Sequence, residues 1–200
     1  MKARIFIEGG GDSKDLRARC RMGFRRLLGR CGLEGKMPRL VACGAREEAF
    51  DGFTTAHRHA GPDDYVAMLV DSEDPVKNKE RPWAHLKRCD GWDRPKGADD
   101  KQVLLMTTCM ETWIICDRKA LSDHFGECLR GKALPASHNL ESRHRNAIQT
   151  ALVEATRDCG KRRYAKGKIS FEIVGKLDPA PLRRHLPHFK RSEEILKKNL

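Results

Sequence analysis

Residues 4–12 read RIFIEGGGD: a short apolar run, Ile5-Phe6-Ile7, closed by Glu8, three glycines and Asp12. The apolar run reads as a buried strand. Asp12 or Ser13 is suited to cap a following helix. That helix would place Leu16, Phe24, Leu27 and Leu28 on one side and Arg17, Arg19, Arg21, Arg25 and Arg26 on the other. A glycine loop between a strand and a helix opens many α/β folds. Here it is neither a Walker loop, because no Gly-Lys-Ser/Thr follows, nor a dinucleotide fingerprint, because the Gly-x-Gly-x-x-Gly spacing fails.

Working outward, residues 39–42 read as a second strand. Residues 47–59 read as a helix with Phe50 and Phe53 inward. Tyr65 to Val70 is the clearest strand, continuous, apolar and ended by Asp71. Strand, helix, strand, helix, strand predicts a mostly parallel sheet covered on both faces, with right-handed crossovers. Residues 103–106 supply a further strand, for about four in total. Between them, 74–101 is polar and carries Pro75, Pro82 and Pro95, which predicts an insertion with one short helix at 83–88. Helices are expected at 110–116, 118–125 and 143–158, the last with Ile148, Leu152 and Val153 inward. Residues 134–139 read as a linker. The expected organisation is a Rossmann-like α/β core over 1–133 and a mainly helical, basic extension over 134–200.

The chain has 200 residues, 34% of them charged, and a formal net charge of +12. Such a balance points to an anionic partner, nucleic acid first, although a basic surface also serves solubility alone. Eight cysteines are scattered singly with no Cys-x-x-Cys pair, which argues against zinc ribbons and thioredoxin-like chemistry. The start lacks the apolar stretch of a signal peptide, and no window approaches a membrane span. A reducing cytoplasm without disulfides is therefore expected.

Parallel α/β sheets bind ligands at the carboxyl ends of their strands. Glu8 ends the first strand and Asp71 the third, with Glu73 two residues on in LVDSED. In an extended chain residues two apart project to one side, and neighbouring strands lie about 5 Å apart. Glu8, Asp71 and Glu73 would then converge. Crowded carboxylates repel and are costly to bury without a counter-charge. An all-oxygen donor set suits Mg2+ or Mn2+, and such an ion serves phosphate chemistry. Asp74 and Glu111 are further candidate ligands. Glu111 lies on an otherwise apolar helix, where an internal ion pair is the plainer reading. Gly9, Gly10, Gly11 and Lys14 sit where a backbone and a helix start can approach a phosphate. The segment Tyr164-Ala165-Lys166-Gly167-Lys168 offers lysines for the same purpose, or forms a solvated basic loop.

A glutamate and glycine after the first strand, with an acidic pair spaced by one residue after a later strand, resembles the Toprim domain of topoisomerases, primases and overcoming-lysogenization-defect nucleases. That resemblance implies a general acid or base at Glu8 and magnesium at Asp71 and Glu73, although the usual pair is Asp-x-Asp and this chain has Asp-x-Glu. The segments IEGGGD, LVDSED, MTTCMETWIICD and YAKGKISFEI together resemble an uncharacterised bacterial family, domain of unknown function four-two-seven-six. Its members are often associated with ATPases in systems linked to phage defence or mobile elements. The resemblance implies a Toprim-like fold and draws attention to Glu111, Trp113, Asp117, Tyr164, Lys166 and Ser170. The leading expectation is a magnesium-dependent nuclease. The alternatives are a non-catalytic basic subunit, nucleic-acid-binding or regulatory, of a partner ATPase, and a small-molecule phosphohydrolase. With only Tyr65 and Tyr164 available, and neither marked as activated, strand passage is disfavoured.

Overall fold

The computed structural model describes residues 2–200. Four strands form one sheet: β1 (Ala3–Glu8), β2 (Arg39–Gly44), β3 (Tyr65–Asp71) and β4 (Val103–Met106). Their order is β2-β1-β3-β4 and every pairing is parallel. β3 is central and all seven of its residues are buried, as a strand covered on both faces requires.

Alternation divides the core. Ile5, Ile7, Leu69, Leu104 and Met106 face one layer, where α1 (Lys14–Leu28) contributes Phe24 and Leu27. Phe6, Val66, Met68, Val70 and Leu105 face the other, where α2 (Arg46–Arg58) contributes Ala49 and Phe53. Helices thus cover both faces, as expected. Ser13 caps α1, its hydroxyl accepting the N–H of Leu16 at 3.1 Å.

The 74–101 segment is less of an excursion than its polarity predicts. Its helix α3 (Pro82–Asp90) and the turn after it bury Trp83, Leu86, Trp92 and Ala98 against the α2 layer. Trp92 stacks on Phe50 with ring centres 4.4 Å apart. Three prolines and many charges hide a pair of tryptophans that close one side of the sheet.

Beyond β4 the chain is helical: α4 (Met110–Cys116), α5 (Arg118–Phe125), α6 (Arg145–Ala155), α7 (Lys168–Val174), α8 (Pro179–His185) and α9 (Pro187–Asn199). These helices send Trp113, Leu121, Ile148, Leu152, Phe171, Leu182 and Leu196 into the α1 layer. Trp113 is core. α7 lies close along α1, where Gly23 leaves room for the Phe171 carbonyl. Among the described residues no helix is long and apolar enough to cross a membrane.

One expectation is overturned: Cys128 and Cys159 form a disulfide. They follow α5 and α6, which meet where the Arg130 N–H donates to the Ala155 carbonyl at 2.8 Å and Arg130 pairs with Glu154 at 2.9 Å. The pairing arises from packing across 31 residues, so no local spacing announces it. Cys109 and Cys116 are free and buried, and pack as small hydrophobes.

Candidate metal centre

Because β1 and β3 are parallel neighbours with Ile7 opposite Leu69, Glu8 and Asp71 emerge at the same rim of the sheet. The Glu8 carboxylate accepts the backbone N–H of Asp71 at 2.9 Å. Asp71 in turn accepts the N–H of Met110, at the start of α4, at 2.8 Å. The chain does not stay extended past Asp71. It folds tightly, with the Asp74 N–H on the Ser72 carbonyl at 2.7 Å, and Glu73 takes a left-handed φ of 65°. The Glu73 N–H is fixed on the Thr108 carbonyl at 2.9 Å. This turn still returns the Glu73 side chain to the rim. Glu8, Asp71 and Glu73 each offer an oxygen, and these oxygens lie within 4.8 Å of one another.

The trio is electrostatically uncomfortable. Burial pushes the Glu8 carboxyl above the usual carboxylate range, against the pull of the Asp71 N–H and Arg46. Asp71, 5% exposed, is pushed up much further, first by burial and then by the charges of Glu8 and Glu111. Among the described residues no salt bridge reaches Asp71. A hard divalent cation suits this all-oxygen set, in which Asp71 alone has no salt bridge among the described residues.

Two arginines flank the trio. Arg46 lies 3.7 Å from Glu8, donates to the Asp71 carbonyl and is clamped on Asp90 at 2.6 and 3.1 Å. Arg145, the first residue of α6, pairs with Glu73. Sequence reasoning missed both. Arg46 carried a signal, since it follows the carboxyl end of β2 and so shares the rim where ligands bind. Arg145 opens a distant helix and carried none.

Beside the carboxylates is a cleft of about 300 Å³ lined by Glu8, Gly9, Gly10, Gly11, Asp71, Lys166, Gly167 and Ser170, among others. The three glycines adopt φ of 129°, 95° and 50°, which side-chain-bearing residues rarely hold. A Cβ on Gly10 would lie 2.8 Å from the Arg17 Cα. Gly9 and Gly44 exchange both backbone hydrogen bonds at 2.9 Å, so the loop stitches β1 to β2 as well as bordering the cleft.

The remaining sequence candidates separate. Asp74 lies outside the trio, 3.9 Å from His144. Glu111 is also outside it, wholly buried, and held by the Tyr164 hydroxyl at 2.9 Å and Lys166 at 3.6 Å, an internal ion pair. Tyr164 was expected near a phosphate. It is buried instead, its hydroxyl is spent on Glu111, and burial together with that carboxylate raises it well above the ordinary phenol range. Lys166 lines the cleft and ties Glu111 to it. Lys14 and Lys168 are exposed first residues of α1 and α7 and do not line the cleft. Asp117 caps α5 and accepts the Asp178 N–H, and Ser170 caps α7 through Gly167, so both serve the fold.

A family model described as "Domain of unknown function (DUF4276)" matches residues 7–197. No curated protein and no solved structure matches the chain.

Proposed function

We propose that this chain, which belongs to the DUF4276 family of unknown function, is a divalent-cation-dependent nuclease. The carrying observation is the convergence of Glu8, Asp71 and Glu73 within 4.8 Å at the carboxyl rim of a parallel sheet. These three residues would hold Mg2+ or Mn2+. When bound, such an ion supplies Lewis-acid polarisation of the phosphoryl group and neutralises charge on the departing oxygen.

The protein's own groups supply the rest. A water adds to phosphorus and the ester P–O bond breaks. Glu8 takes a proton from that water, directly or through a second water, and the departing oxygen takes up a proton from solvent. In the metal-free site burial raises the Glu8 carboxyl above its usual range, which makes it a better proton acceptor than a solvated glutamate. Lys166 places an ammonium at the cleft wall, where it attracts a phosphate. The formal charge of +12 favours a polyanion over a mononucleotide.

A second reading rests on the arginines. Arg46 and Arg145 already neutralise Glu8 and Glu73, as they would in a non-catalytic, nucleic-acid-binding subunit of a partner ATPase. One experiment separates the two. Labelled single- and double-stranded DNA and RNA are incubated with Mg2+, Mn2+ or a chelator, using wild type and Asp71→Asn. The nuclease reading expects metal-dependent products that fall about 100-fold or more in the variant, with salt-sensitive binding retained. Binding without cleavage of any substrate favours the second reading.

A further inference from the structure

The two arginines at the trio are not equivalent. Arg46 is anchored three ways, by the Asp90 carboxylate, by the Asp71 carbonyl and by its seat 4.8 Å over the Trp92 ring. Arg145 pairs with Glu73 alone among the described residues, and the side chains of this pair are 30% and 32% exposed. The backbone that carries Arg145 is separately secured, because the Thr108 hydroxyl donates to the Arg143 carbonyl at 3.1 Å and His144 lies 3.9 Å from Asp74. The Arg145 guanidinium can therefore leave Glu73 without undoing the start of α6.

We infer that Arg145 is a resident counter-cation, displaced from Glu73 when a divalent ion enters the trio and then free to take a phosphate of the nucleic acid. The inference rests on the metal-dependent reading above. Guanidinium and cation compete for the negative charge of the one Glu73 carboxylate, so removing the first strengthens binding of the second. The freed guanidinium keeps paired N–H donors that match two phosphate oxygens. Arg145 thus makes metal entry and substrate capture consecutive.

The test is a calorimetric titration of the full chain with Mn2+ at low ionic strength, comparing wild type, Arg145→Gln and Arg145→Lys. Arg145→Gln should bind Mn2+ about fivefold more tightly, because an exposed ion pair no longer competes. Arg145→Lys, which keeps the charge, should stay near wild type. With an oligonucleotide substrate, both variants should raise KM, by about tenfold for Arg145→Gln, with a smaller change in kcat. Equal Mn2+ affinity in wild type and Arg145→Gln overturns the inference and leaves the metal reading standing. Failure of every form to bind Mn2+ overturns the metal reading and the inference with it. Tighter Mn2+ binding with unchanged KM overturns the phosphate role.

Discussion

Glu8 reaches from the end of β1 to accept the backbone N–H of Asp71 at 2.9 Å, so one rim carboxylate fixes the strand end that bears the next. The bond holds two acids together that would otherwise repel. Glu8→Gln keeps an acceptor oxygen and removes the charge. Because burial raises the Glu8 carboxyl, its ionised form opposes folding at neutral pH, and the metal-free variant should be at least as stable as wild type. Glu8→Ala loses the acceptor and should cost about 1–3 kcal/mol. Both should lower cleavage about 100-fold or more. Denaturant midpoints and cleavage rates check the two effects separately.

The sheet was legible because its strands are short runs rich in apolar residues, two of which, β1 and β3, end in acids, and Glu8, Asp71 and Glu73 stood out by their place there. What could not be read is what depends on packing between distant segments. Glu73 joins the trio through a left-handed turn, not through the extended alternation that suggested it. Arg145 arrives from the start of α6, whose periodicity speaks only of its inward Ile148 and Leu152. Trp83 and Trp92 close one face from within a stretch whose prolines and charges read as loop. The Cys128–Cys159 bond follows from the meeting of α5 and α6 ends, which no cysteine spacing encodes.

Tyr164 supports the site from below. Its hydroxyl donates to the buried Glu111 carboxylate, which also holds Lys166 at the cleft wall. Tyr164→Phe removes a donor to a buried charge and should cost about 1.5–3 kcal/mol. Lys166 should be held less firmly, so KM for an oligonucleotide should rise more than kcat falls. Equilibrium unfolding and steady-state kinetics provide the check. An unchanged unfolding midpoint would remove Glu111 and Tyr164 from the framework of the site.

Gly23 tests the α1–α7 contact. It is helical, so its role is space and not unusual backbone. A methyl there would run into the Phe171 carbonyl oxygen, which belongs to the helix and cannot swing away. Gly23→Ala improves helix propensity on paper, yet should destabilise by about 1–3 kcal/mol through overpacking. The thermal midpoint should fall, with Lys166 and Gly167, just before α7, losing order first. Amide exchange at residues 164–170 reports that loss.

Asp71 and Glu8 also set the response to pH. Both carboxyls are raised in the folded protein, so the metal-free fold binds more protons than the unfolded chain once pH exceeds the ordinary carboxylate range. Groups raised in this way contribute stability that is full below their unfolded values of 3.8 and 4.5 and is lost as pH rises through the folded values. The metal-free protein should therefore lose stability as pH rises above that range. Asp71→Asn should flatten the slope, since its amide cannot ionise. A divalent cation bound to the ionised trio reverses the sign, because binding favours the deprotonated fold. At about one hundred times its Kd it adds about 2.7 kcal/mol. The thermal shift produced by Mg2+ or Mn2+ should be small near about pH 5 and larger near about pH 8. A shift independent of pH, or one retained in Asp71→Asn, would mean that the cation stabilises the protein somewhere other than at these carboxylates.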